Sequence, residues 1–225
     1  MKEMIFTQRE LEKLGHQTLD LLIEAIDRQD TEEAKRLSRR MYREFESMHD
    51  NYCYWIASLL SFVLRRFGAK TVFEALRESC SEMFEPLAKV YEGQSPKRWA
   101  ELFAAGLRGH LQPLKIEEDE EKFTFIMKPC GSGGRLILQG HYEPNGRLST
   151  IKEPHPIMTY SRKDFPIYCA HCPFQEIVFI EQLGFPLFIT LPSDKIGEEP
   201  CRMIIYKDPS RIPDLYYERI GKKKP

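Results

Sequence analysis

The sequence predicts an α+β protein, an N-terminal helical bundle packed on a C-terminal antiparallel sheet that carries a cysteine-rich metal site. Three observations carry that prediction. Apolar residues recur at helical spacing through residues 7–111. Beyond His110 the period falls to two, as in Phe123, Phe125 and Met127. Four of the six cysteines, Cys130, Cys169, Cys172 and Cys201, lie in that second half. We therefore divide the chain into a helical region, 1–111, and an α+β region, 112–225. No obvious linker separates them, so they are expected to form one cooperative unit.

Leu19, Leu22, Ile23 and Ile26 sit at i, i+3, i+4 and i+7 and mark one apolar helical stripe. Asp30-Thr31 breaks and recaps the chain. Leu37, Met41, Phe45 and Met48 then recur along a second helix. Asp50 is placed to cap a third, and Gly68 to close it. Thr71 and Glu74 have the spacing of a capping box for a fourth. Ser95-Pro96 opens a fifth, with proline where a missing N–H costs nothing. Residues 114–118 and 122–128 read as strands around an acidic turn, and 135–141 as a third strand. Residues 150–172 are broken by prolines. Pro173 starts a helix that Gly184 caps, and 185–191 and 201–206 complete the strands.

The chain has 225 residues, 42% hydrophobic and 30% charged, with a net charge of −1. A packed core is expected, and near-neutral charge speaks against nucleic acid as a partner. The opening "MKEMIFTQRELEKLG" turns charged at once, which is unlike a secretory signal. The longest apolar run, 52–64, is shorter than the roughly twenty residues of a spanning helix. These features predict no membrane partner and a cytoplasmic location. The 52–64 helix also carries more apolar surface than one small sheet face covers, which points to a homodimer.

In a reducing compartment a close cysteine pair is expected to bind metal or do chemistry. Cys53 and Cys80 lie in apolar helices and read as small core residues. Cys169 and Cys172 have knuckle spacing: two intervening residues let a tight turn aim both thiolates at one centre. Cys130, where a strand meets the glycine turn "CGSGGR", is the third expected ligand. His155, held between prolines in "EPHPI", is the fourth. Cys130, His155, Cys169 and Cys172 form a donor set suited to zinc. Cys201 in place of His155 would suit zinc or an iron–sulfur cluster, and His141 is a further candidate for the fourth position. A thiol–disulfide role for Cys169 and Cys172 lacks the expected β-α-β context.

His171, between the paired cysteines, is placed to move protons beside a metal-bound water. Arg135 and Tyr168 are the other candidate catalytic helpers, Arg135 as a carboxylate binder. Glu176, one turn past Cys172, reads first as a solvated helix residue. The "GSGGR" stretch is not a phosphate loop. It lacks the following Lys-Ser/Thr, and a strand rather than a helix is expected after it.

"RRFGAKTVFEALRE", and later "YCAHCPFQEIVFIEQLGFPLFITLPSDKIGEEPCRMIIYK", resemble in layout the L-2-amino-thiazoline-4-carboxylic acid hydrolase-like proteins and the related 4-vinyl reductase (hydrocarbon-binding) domains. Cys169 and Cys201 would be the matching cysteines. The resemblance covers about half the chain. It implies an α+β fold and either ring-opening hydrolysis of a small heterocycle or small-molecule sensing. Cys172, the Cys130 glycine loop and the Pro-His-Pro element depart from it. The expectation is a zinc-dependent hydrolase or lyase for a small polar or sulfur-containing molecule. A sensory module with structural zinc and an iron–sulfur or redox protein are the alternatives.

Overall fold

The computed structural model describes residues 5–225. The chain divides into two compact units, the first ending at Asn51 and the second running Tyr52–Pro225. The boundary expected at 111/112 falls inside the second unit. Helices beyond Tyr52 and the sheet share one core there, which a change in sequence period cannot reveal.

The first unit is helical. α1 (Gln8–Gly15) opens with a capping box: the Thr7 hydroxyl accepts from the Glu10 amide, and the Glu10 carboxylate accepts from the Thr7 amide. α2 (Thr18–Asp27) buries Thr18 and Ala25, whereas Leu19, Ile23 and Ile26 are exposed. The apolar stripe expected there is present but faces outward. The Thr18 hydroxyl donates to Glu44 at 2.7 Å.

α3 (Thr31–Tyr91) begins in the first unit and continues in the second. Asp30 caps it, accepting from the Glu33 amide at 3.1 Å. Asp50 lies within the helix and starts nothing: residues 48–52 include no glycine or proline, and a helix already nucleated propagates through weak formers such as Asp50 and Asn51. Gly68 breaks the helical conformation with φ +84° and ψ 174°, which only glycine adopts readily. Thr71 does not form the expected capping box. It lies past the kink and donates its hydroxyl back to the Phe67 carbonyl.

α4 (Pro96–Gly109) follows, capped by Ser95 with Pro96 in its first turn. β1 (Leu114–Glu118) and β2 (Lys122–Met127) form the expected hairpin. α5 (Gly133–Leu138) replaces the strand expected over 135–141. A short apolar run does not by itself distinguish helix from strand. Here the Arg135 and Leu136 amides close helical turns onto Cys130 and Ser132. β3 (Thr150–Ile151) pairs with β4 (Phe165–Pro166), and a 3₁₀ turn, Ile167–His171, leads into α6 (Cys172–Leu183). Gly184 ends α6 in the left-handed conformation, as expected. β5 (Ile189–Leu191) is shorter than expected, β6 (Cys201–Tyr206) matches, and α7 (Leu215–Glu218) closes the chain.

The four-stranded sheet is antiparallel, in order β1-β2-β6-β5. α4 covers one side of it: Phe103 meets Phe125 edge to face at 5.0 Å, and Phe188 at 4.7 Å. α6 is buried on nearly every side, as expected of a helix apolar all round. It packs between the sheet and the later part of α3, where Phe73 meets Phe174 at 5.0 Å. This middle position of α6 sets the place of the paired cysteines at its start.

Candidate functional site

Three separated segments bring cysteines toward the N-terminal end of α6. Cys172 is the first residue of that helix and Cys169 lies in the turn before it. Cys201 begins β6, where the register sets it opposite Met127 at the end of β2. Cys130 lies three residues beyond Met127 in sequence. The two strands therefore deliver Cys130 and Cys201 to the same edge.

The glycine loop completes the enclosure. Gly131 donates its amide to Gln112 Oε1 at 2.5 Å, and Gln112 Nε2 donates to the Ser132 hydroxyl at 3.3 Å. A Cβ on Gly131 would stand 2.6 Å from the Leu111 carbonyl oxygen, and one on Gly133 2.6 Å from Cys169 Sγ. Glycine is required at both places because a backbone or a sulfur occupies the side-chain position. A six-residue helix does follow the loop, contrary to the expected strand, and the Lys-Ser/Thr of a phosphate loop is still lacking.

The thiols feel one another electrostatically. Burial pushes the Cys169 thiol well above its ordinary value, and the charges of Cys130 and Cys201 add to the rise. Burial does the same at Cys172, reinforced by Cys169, Cys130, Cys201 and Glu176. At Cys201 burial again dominates, with Cys130 contributing and a hydrogen bond from the Ser193 backbone opposing it. Each thiolate thus disfavours the next. Among the described residues, however, no group of three or more His, Cys, Asp or Glu side chains is disposed to hold a metal ion. The structure shows clustered thiols, and not the coordination shell expected from the sequence.

His171 is turned toward Cys172. Its Nδ1 lies 2.5 Å from the Tyr168 carbonyl oxygen, so Nδ1 must carry the proton and donate it. Nε2 is then an acceptor, 3.9 Å from Cys172 Sγ. Burial holds the ring below the ordinary histidine range and therefore neutral, with the His110 charge acting in the same direction. A neutral imidazole beside a thiol can take the thiol proton.

The other expected residues lie elsewhere or are already engaged. His155 accepts from the Ile157 and Met158 amides through Nδ1, at 3.1 and 3.2 Å, and its ring stacks on Phe73 at 5.5 Å. The prolines flanking it do stiffen the segment, but the stiffness closes a turn around the imidazole and does not present it to the thiols. His141 packs against Tyr54, the two rings tilted with centroids 4.6 Å apart. The Tyr168 hydroxyl lies 3.2 Å from Cys53 Sγ, and burial raises it far above the ordinary phenol range. It is a fixed hydrogen-bonding group, not a source of protons. Arg135 donates through Nε to the Gly131 carbonyl at 3.1 Å and so braces the loop. Cys53 and Cys80 are buried core residues, as expected.

Glu176 is fully buried, where a solvated side chain was expected. Its Oε1 accepts from the Thr190 amide at 2.8 Å, and its Oε2 from Arg219 Nη2 at 2.5 Å. Arg219 Nη1 also donates to the Thr190 carbonyl at 2.8 Å. The pair ties α6, β5 and the turn after α7 together. Its sequence signal was a single carboxylate set directly before an apolar run, residues 177–180.

An open cleft of about 260 Å³ between Tyr91, Trp99, Gln182 and Phe185 contains no cysteine or histidine. No helix of the described residues is long and apolar enough to cross a membrane. Comparison of the chain with protein-family models, curated proteins and solved structures returns no match.

Proposed function

We propose that this protein is a metal-dependent cytoplasmic enzyme, a hydrolase or lyase for a small polar or sulfur-containing molecule, organised around Cys130, Cys169, Cys172 and Cys201. The observation that carries the reading is that three separated segments bring Cys130 and Cys201 near enough to the paired cysteines to raise the thiols of Cys169 and Cys172. Such thiols repel as anions, and a soft divalent cation relieves that repulsion while displacing their protons. The donor chemistry fits zinc. Held by three of the four thiolates with the fourth position open, zinc would polarise a carbonyl or lower the pKa of water.

The chain's own residues supply the rest. His171, neutral and with Nε2 as acceptor, is placed to take a proton from a reactant bound beside Cys172. The Tyr168 carbonyl holds the imidazole in that tautomer. The glycine loop leaves room beside Cys169 Sγ for backbone alone.

One observation favours a second reading. Cys201 is among the thiols that raise Cys169 and Cys172, which makes four sulfurs a candidate donor set. That set also suits an iron–sulfur cluster. Anaerobic purification of the full chain, elemental analysis and an absorption spectrum separate the two. About one zinc per chain, lost in Cys169→Ser and in Cys172→Ser, supports the first reading. Iron with acid-labile sulfide and visible charge-transfer bands supports the second. Protein free of both metals, and unable to take up zinc or iron with sulfide when reconstituted, overturns both.

A further inference from the structure

We propose that the outer face of α3 between Tyr52 and Phe62 docks a second copy of this chain, helix against helix. Tyr52, Trp55, Ile56, Leu59 and Phe62 are 53, 58, 47, 52 and 49% exposed. Their spacing of three and four residues places them on one side of the helix. The opposite side is already used: Cys53 and Ala57 pack with Leu136, Leu148 and Tyr168, and the buried Ser61 hydroxyl accepts from the Ser149 amide at 2.9 Å. This stretch of α3 is therefore apolar on two faces, and only one is covered by its own chain.

The pattern specifies the kind of partner. Tyr52, Trp55, Leu59 and Phe62 follow the three–four alternation of a coiled-coil seam, which fits a facing helix of the same repeat. The sequence contains no charged residue from 51 to 64, the depletion found at interface centres. Asp50 precedes that stretch and Arg65-Arg66 follow it. Two antiparallel copies set unlike ends together and oppose their helix dipoles favourably, as a two-fold dimer requires.

The area is of the right order. Large aromatic and aliphatic side chains that are half exposed offer about 100 Å² each, hence about 500 Å² per copy from these five alone. A standard interface buries roughly 800 Å² per partner. The polar flanks of the same stretch would supply the remainder.

Sedimentation velocity of the full chain at about 50 μM, where a micromolar interface is mostly occupied, tests the proposal. The wild type is expected to sediment as a dimer. Leu59→Glu and Trp55→Glu should each weaken it at least about tenfold, since one unpaired buried charge exceeds 1.4 kcal/mol. Circular dichroism should be unchanged, because both side chains face solvent in the single chain. Should either variant fail to fold, Leu59→Ala and Phe62→Ala, which preserve helix propensity, replace them. Lys97→Glu on α4 should remain dimeric. Zinc or iron content should not change with Leu59→Glu, so the result stands apart from that of the metal assay. A monomeric wild type, a dimer indifferent to all four substitutions, or a monomer that instead binds phosphatidylcholine vesicles through this face would overturn it.

Discussion

Gly133 lies against the sulfur of Cys169, so close that a Cβ there would stand 2.6 Å from Sγ and 3.4 Å from the Tyr168 ring. Gly133 does not take a positive φ, so the requirement for glycine is one of space and not of backbone conformation. Gly133→Ala should cost about 1–3 kcal/mol of stability, as overpacking of a filled site does. On the proposed zinc reading it should also lower zinc content by displacing the Cys169 thiol. Urea unfolding and elemental analysis read the two effects. An alanine variant with wild-type stability and metal content would show that the thiol has somewhere else to go.

Reactivity of the metal-free protein should track burial. Cys169 and Cys172 both sit well above the ordinary thiol value of 9.0, so their thiolate fraction at neutral pH is small. Alkylation by iodoacetamide, followed by mass spectrometry of the labelled peptides, should be slow at pH 7 and should not level off near pH 9. Labelling of Cys172 at neutral pH as fast as a free thiol would mean that His171 overrides burial.

The ion pair of Glu176 and Arg219 is a second structural dependence. Burial pushes the Glu176 carboxyl up, while the Arg219 guanidinium opposes the rise. Arg219→Met removes that opposition and leaves a buried carboxyl with only the Thr190 amide. The expected loss is about 3–5 kcal/mol. Glu176→Leu combined with Arg219→Met should recover much of it, because no unpaired charge remains. Denaturant midpoints of the single and double variants measure the coupling. Additive losses would mean that the two groups act independently.

Glu181 supplies the acid dependence. Burial raises its carboxyl, but the Lys222 ammonium and the Arg77 guanidinium together outweigh burial and hold it below the ordinary value of 4.5. A folded pKa below the unfolded one means that the unfolded chain binds protons first as pH falls. The contribution is therefore complete above the ordinary carboxylate range and disappears as pH falls through the folded value. At pH 7 Glu181→Gln should cost about 1 kcal/mol, and well below pH 4 almost nothing. Stability curves of the two proteins that run parallel across that window would remove Glu181 from the account.

The helices and the sheet hairpin were readable because local chemistry decides them. Ser95 and Pro96 start α4, Gly184 stops α6, and alternation marks β2, all within a few residues of chain. Where two outcomes share one local pattern, reading failed. The apolar run after Gly133 became a helix, and Leu19, Ile23 and Ile26 face outward although their spacing is that of a packed stripe.

The sequence by itself determined that Cys169 and Cys172 lie together and that Cys130 ends in a glycine turn, since covalent spacing and glycine's lack of a Cβ hold wherever the chain goes. Only the tertiary structure brought Cys201 beside the other three cysteines. Its position rests on which residue of β6 stands opposite Met127, a register set by burial across the sheet. His155 closes its own turn, with two nearby amides donating to its ring nitrogen. Pairings between distant segments follow from which surfaces exclude water together, and no short stretch of residues contains that information.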